Sequence, residues 1–276
     1  MKISVISNST KDLSFEQTIR ICEILHNNGA TVRLSNNYKG LCGYVQYSDD
    51  LYSDTDAVVV LGGDGTILRE GVACAKMDIP VMGINLGRVG FMTETEIDDV
   101  EENIKRLLSG DYEIQERMMM SVEIVNENGR SKYLALNDCV VSKPDAQMIN
   151  VSVSANDEKI TEYIADGIIL STPTGSTGYS LSAGGPVADP ACEIFMATPI
   201  CAHTLLARPA VMSAEKEISV ELIEGANKLA DVTIDGVVVG KLMVGDVTVI
   251  KKACEKFKLI KFKKQSFYDI MTAKLI

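Results

Sequence analysis

The chain has 276 residues, 46% of them hydrophobic and 24% charged, with a formal net charge of −11. It is long enough for one large or two modest domains with real cores, and its acidity speaks against duplex nucleic acid or an anionic membrane surface as a partner. The seven cysteines are scattered and form no Cys-x-x-Cys pair, which fits reduced thiols in the cytoplasm and neither a disulfide frame nor a zinc site.

Met1 leads straight into the strand-like Lys2-Ile-Ser-Val-Ile6, so no signal peptide is expected, and no apolar run is long enough to span a bilayer. A helix follows, with Ser14 as its expected N-cap, Phe15, Ile19, Cys22 and Leu25 on its apolar face, and Asn28-Gly29 as its stop. Thr31 to Leu34 reads as a strand and residues 36–54 as irregular. Asp56 to Leu61 is a strand, Thr66 to Met77 a helix and Pro80 to Ile84 a strand. Thr95 is expected to cap an acidic helix, Ile97 to Leu108, ended by Ser109-Gly110; acids in its first turns oppose the helix dipole. This alternation predicts an α/β domain with a parallel sheet.

The pattern changes near Glu116. Short alternating segments follow: Ser121 to Val125, Lys132 to Leu136, Cys139 to Val141 and Ile149 to Val153. Asn128-Gly129 and Asn156-Asp157 mark turns, and Asp235-Gly236 signals a two-residue hairpin. The expected organisation is an α/β domain over 1–115, a β-rich domain over 116–256, and a segment over 257–276 that returns to the first domain. Lysines cluster late, from Lys251 to Lys264, and read as the solvated face of C-terminal strands.

Four segments carry chemistry. In the first, the apolar run Ala57 to Leu61 stops at Gly62-Gly63-Asp64-Gly65-Thr66 at the mouth of a helix. Glycines let phosphate oxygens approach main-chain N–H groups, and the helix N-terminus favours negative charge. A carboxylate there makes sense if it accepts a proton from an attacking hydroxyl or holds a metal ion on the phosphates. The second is Asp166-Gly167 with Ser171-Thr-Pro-Thr-Gly-Ser-Thr-Gly-Tyr179 and Gly184-Gly-Pro186, a loop of hydroxyls, glycines and one stacking ring. The third, Asn137-Asp138, interrupts an apolar run with a pair suited to the two hydroxyls of a ribose. In the fourth, Gly83-Ile-Asn-Leu-Gly87-Arg88-Val-Gly90-Phe91, spaced glycines suggest a backbone surface close to a ligand; Arg88 either meets a phosphate or sits in solvent.

Several standard sites are missing. There is no P-loop, no Gly-x-Ser-x-Gly elbow and no Gly-x-Gly-x-x-Gly dinucleotide fingerprint. The two histidines, His26 and His203, read as structural.

Taken in order, these segments, with His203-Thr-Leu, Arg208-Pro209 and Phe267-Tyr-Asp269, resemble the NAD kinase family. The resemblance spans most of the chain and implies a two-domain architecture, α/β then β-rich. It implies Mg²⁺-dependent transfer of a phosphoryl group from ATP or polyphosphate to the 2′-hydroxyl of the adenosine ribose of NAD. Asp64 would deprotonate or orient that hydroxyl and, with Gly65, border NAD; Gly63, Gly65 and Thr66 would line the phosphates. Phe91 would border the adenine, Asn137 and Asp138 would hold the ribose, and Asp166, Thr174, Thr177, Gly178 and Tyr179 would shape the rest of the NAD pocket. No metal ligand is assigned among the side chains. A homodimer or homotetramer is implied, with no nucleic acid or membrane partner.

The chain departs from the family in Asp138, where Glu is usual, and in Gly178, where Ala is common. Two other readings use the same residues. A lipid kinase shares the Gly-Gly-Asp-Gly loop but usually follows it with Gly-Thr-Gly-Asn-Asp-Phe, which is absent. A non-catalytic sensor of NAD or NADP would keep the loops but has no need of Asp64.

Overall fold

Apolar strands alternating with helices build the first of two units, Met1–Glu116 with Phe257–Ile276. The structure, a computed structural model, describes residues 1–87, 90–127, 129–203, 207–262 and 266–275. Arg88, Val89, Asn128, Thr204, Leu205, Lys263 and Lys264, which figure in the sequence reading, lie outside the described residues.

The unit runs β1 (Lys2–Ser7), α1 (Glu16–Asn27), β2 (Thr31–Ser35), β3 (Gln46–Ser48), β4 (Ala57–Gly62), α2 (Asp64–Lys76), β5 (Val81–Asn85) and α3 (Val100–Ser109). The strands pair in parallel in the order β3-β2-β1-β4-β5. β4 and β5 are buried at every position, as central parallel strands are. Strand order reverses between β1 and β4, and open α/β sheets bind ligands outside the carboxyl ends of strands at such a reversal. The loops after β1 and β4 therefore mark the functional edge of this unit.

Local details depart from the sequence reading for physical reasons. Ser14 does not cap α1. Phe15 turns left-handed at φ 56, and the Asp12 carboxylate accepts the main-chain N–H groups of Gln17 (3.3 Å) and Thr18 (2.8 Å) instead. Thr95 does not cap the acidic helix either; its hydroxyl accepts from the Asn103 amide at 3.2 Å, and a 3₁₀ turn, Ile97–Asp99, leads into α3. Residues 36–54 contain the edge strand β3, only three residues long and too short to show alternation. α2 begins at Asp64 rather than Thr66.

The second unit, Arg117–Lys256, is antiparallel. Its elements are β6 (Glu113–Asn126), β7 (Gly129–Ala135), β8 (Asp138–Ser142), β9 (Ile149–Ala155), β10 (Glu158–Ala165), β11 (Gly167–Ser171), α4 (Tyr179–Ser182), β12 (Ile194–Ile200), β13 (Ala210–Ser213), β14 (Ile218–Ile223), β15 (Leu229–Ile234), β16 (Val237–Met243) and β17 (Val247–Lys261). β6 enters from the first unit, and β17 leads back into it, where Leu259 pairs with Val81. The short helix α5 (Phe267–Leu275) ends the described chain.

One sheet of this unit has the order β13-β12-β11-β8-β15-β16; β10, β9, β14 and β17 pair in a second. Residues such as Val141, Ile168, Phe195 and Val232 from the first sheet and Val151, Val220 and Ile250 from the second share one apolar core. β9 alternates buried and half-buried along its length, the period of a strand with one covered face. Of the late lysines, Lys251 pairs with Glu217, Lys252 with Glu193 and Glu215, and Lys258 with Asp78.

Candidate nucleotide-binding and phosphoryl-transfer site

In the first unit, β4 runs into Gly62-Gly63 and delivers Asp64 as the first residue of α2. The opening amides of a helix have no intrahelical partners, so this is a favourable place for an anion. Gly65 is exposed, and no atom of the described residues crowds it. Thr66 is different: it is buried, and its hydroxyl accepts the side-chain amide of Asn8 at 3.0 Å. That bond ties the loop after β1 to the start of α2.

The loop after β1 also carries Lys11, which sequence reading missed. A β-carbon on Gly63 would lie 2.8 Å from the Lys11 ammonium nitrogen. Lys11 is exposed and has no ion-pair partner among the described residues. The signal available was its place after a strand in an alternating pattern.

Asp64 is held by the segment after β5. Its Oδ1 accepts the N–H groups of Met92 (3.0 Å) and Thr93 (3.1 Å) and the Thr93 hydroxyl (3.3 Å), while among the described residues Oδ2 accepts only the Phe91 N–H, at 2.7 Å. A side chain on Gly90 would overlap this carboxylate. The Gly90-Phe91 segment is thus a nest for Asp64, and its glycine makes room for the carboxylate. The Phe91 ring is half-buried, 5.6 Å from the Phe267 ring, with the Lys274 ammonium 4.8 Å from its centroid.

In the second unit, Asn137 and Asp138 stand at the start of β8. Antiparallel pairing sets Asp138 opposite Ser171 of β11 and so brings the 172–179 loop beside them. Thr172 donates its N–H to the Asn137 carbonyl (2.9 Å) and its hydroxyl to the Leu136 carbonyl (2.6 Å). A side chain on Gly175 would overlap the Asn137 carbonyl, and a β-carbon on Gly178 would lie 3.7 Å from the Asn137 amide nitrogen. The loop forms a 3₁₀ turn, Thr174–Thr177, in which the Thr177 hydroxyl donates to the Thr174 carbonyl at 3.3 Å. Thr174 is buried, and the Tyr179 ring is 48% exposed, free to stack.

The same strand pairing separates Asp166. It precedes β11, and Gly167 pairs with Ser142 at the far end of β8, so five residues of strand, about 17 Å, divide it from Asp138. Asp166 is half-buried and bound to Lys143 at 2.7 Å. His203 donates its main-chain N–H to the Ile164 carbonyl at 2.8 Å.

Two buried side-chain oxygens beside this loop, Asn137 Oδ1 and Ser171 Oγ, have no hydrogen-bond partner among the described residues. Buried polar atoms are rarely left so, and a polar ligand would satisfy them. Burial, with the neighbouring Asp235, pushes the Asp138 carboxyl up to about 7. Burial raises Asp235 too, against the opposing pull of three amide N–H groups. Sequence reading saw Asp235 only as a turn residue.

Residues 44–112 match the ATP-NAD kinase N-terminal domain and residues 136–262 the ATP-NAD kinase C-terminal domain. The chain is 37% identical over 279 residues to an NAD kinase of Caldanaerobacter subterraneus subsp. tengcongensis, covering 99% of this chain and 98% of that one. It is 41% identical over 231 residues to an NAD kinase of Geobacter sp. strain M21, covering 83% and 80%. The crystal structure of an NAD kinase from Archaeoglobus fulgidus in complex with ATP superposes with a TM-score of 0.77 at 29% identity, covering 100% of this chain and 98% of that one. Yeast NADH kinase complexed with NADH gives 0.90 at 21% identity over 100% and 87%, a likeness of fold.

Proposed function

The chain belongs to the NAD kinase family, and we propose on that premise that it transfers the terminal phosphoryl group of ATP to the 2′-hydroxyl of the adenosine ribose of NAD, making NADP. The observation that carries this reading is the Asp64 carboxylate, fixed by three main-chain amides at the mouth of α2. Phosphoryl transfer is mostly positioning and charge neutralisation, and a pre-set carboxylate supplies the first. Oδ2 accepts one amide and keeps a lone pair for the hydroxyl proton. A ribose hydroxyl is a weak acid, so Asp64 takes that proton late in the transfer.

In the first unit, the main chain of Gly63 and Gly65 and the ammonium of Lys11 receive the donor phosphates; Thr66, whose N–H donates to the Gly63 carbonyl at 2.8 Å and whose hydroxyl is held by Asn8, supports that loop from beneath, and Phe91 borders the adenine. In the second, Asn137 and Asp138 hold the ribose, the first through the oxygen that lacks a partner among the described residues. Thr174, Thr177, Gly178 and Tyr179 line the next part of the dinucleotide, and Asp166, neutralised by Lys143, takes a more distant part.

Among the described residues no group of three or more His, Cys, Asp and Glu side chains is placed to hold a metal ion, and Asp64 Oδ1 is filled by two amides and a hydroxyl. The donor set does not fit a resident metal site. We assign the divalent cation, Mg²⁺, to the ATP phosphates as part of the substrate.

The protein works in the cytoplasm as a homodimer or homotetramer, without nucleic acid or membrane. In support, the seven cysteines are free, no helix among the described residues is long and apolar enough to cross a membrane, and Val211, Val237 and Val238 stand exposed on the edge strands β13 and β16. The test is a coupled assay: NAD, ATP and Mg²⁺ with purified protein, and NADP read by an NADP-specific dehydrogenase. NADP is expected; saturable NAD binding without NADP would favour the sensor.

A further inference from the structure

Asp235 opens the two-residue turn between β15 and β16, with φ 47 there and 84 at Gly236. A turn of this type needs only residues tolerant of positive φ. The Asp235 side chain does more. Its Oδ2 accepts the Leu136 N–H at 2.8 Å, and its Oδ1 accepts those of Asn137 (2.8 Å) and Asp138 (3.0 Å). The Asp235 N–H in turn donates to the Asp138 carbonyl at 3.0 Å. Three successive amides converging on one carboxylate form an anion nest whose anion is part of the chain.

From the other side, Thr172 holds the carbonyls of Leu136 and Asn137. The dipeptide Asn137-Asp138 is therefore gripped by its main chain on both edges, and Asn137 Oδ1 is left without a partner among the described residues. We propose that Asp235 is a positioning residue for ribose recognition: it fixes the main chain of Asn137 and Asp138 so that both side chains stay aimed at the hydroxyls of the adenosine ribose.

The inference rests on the NAD kinase reading. It also explains how a second carboxylate is tolerated beside Asp138: its charge is spent on the amides. Its cost is that Asp138 is harder to ionise. Among the described residues the titratable group acting on Asp138 is Asp235; the Cys139 thiol, next on β8, is itself pushed up by burial and by Asp138, and β11 sets Ser171 opposite.

The test compares wild type, Asp235→Asn and Asp235→Ala in steady-state kinetics with NAD and ATP from pH 5.5 to 8.5. Asp235→Ala strands three buried amides and is expected to raise KM for NAD by about tenfold or more, while kcat and KM for ATP change less than threefold. Asp235→Asn keeps the size and removes the charge. It is expected to move the acid limb of the NAD KM profile to lower pH by about one unit, because Asp138 then ionises more readily.

A pH limb that does not move, or equal changes in KM for NAD and KM for ATP, would overturn the inference. Should Asp235→Ala fail to fold, the near-isosteric Asp235→Asn still decides through its pH profile. Wild type that makes no NADP would fail the kinase reading itself, a different result from an active wild type whose variants show no split.

Discussion

The Oδ2 oxygen of Asp64 accepts the main-chain N–H of Phe91 at 2.7 Å, across 27 residues of sequence. This bond joins the end of β4 to the segment after β5 and makes two glycine-bearing motifs one device. Gly90→Ala would drive a methyl group into the Asp64 carboxylate and the Thr93 hydroxyl. We expect a destabilisation of about 1–3 kcal/mol together with a fall in kcat of at least tenfold, read by thermal unfolding and turnover. Unchanged kcat would mean that the seat of Asp64 does not matter for transfer.

Asn137→Ala removes a side chain whose oxygen has no partner among the described residues. KM for NAD should rise, by roughly ten- to a hundredfold for a lost hydrogen-bonding group, more than kcat falls. The opposite split, with kcat the more affected, would assign Asn137 to the transition state.

Lys11→Ala should raise KM for ATP several-fold and leave KM for NAD within about twofold, since an exposed ammonium contributes a screened, salt-dependent attraction. The ATP effect should shrink in high salt. An equal effect on both substrates would contradict the placement of Lys11 on the donor phosphates.

Stability should depend on pH through Asp138. Its carboxyl titrates at about 7 in the folded chain, against an ordinary value near 4. Between these values the folded state keeps a proton that the unfolded chain has released. Stability therefore falls as pH rises from about 4 to about 7 and is flat above; the raised Asp235 acts in the same direction. The Tm of Asp138→Asn relative to wild type should climb by a few degrees across that window. A difference constant with pH would contradict the buried carboxyl.

Much of this was legible in the sequence. The parallel sheet could be read because helices and apolar strands alternate, and Asp64, Asn137 and Asp138 stood out because each interrupts an apolar run. What was hidden depends on long-range pairing. Asp235 announces a turn, but its grip on Leu136 spans 99 residues and exists only because β15 lies beside β8. Lys11 meets Gly63 only because β1 and β4 are parallel neighbours. Gly90 was visible as a place of close approach; that the approaching group is Asp64 required the fold. The capping errors share a cause: Asp12 and Asn103 act from positions outside the local patterns used to place caps.

The most direct test of the account is Asp64→Asn, with NAD binding measured by calorimetry and NADP formation by single turnover. The asparagine keeps one acceptor oxygen for the amides, so the variant should fold with a Tm lowered by a few degrees and bind NAD within about threefold of wild type. Its phosphoryl-transfer rate should fall by about 10²–10⁴, the usual worth of a general base. A folded variant that binds NAD and still transfers at the wild-type rate would contradict Asp64 as the group that takes the proton.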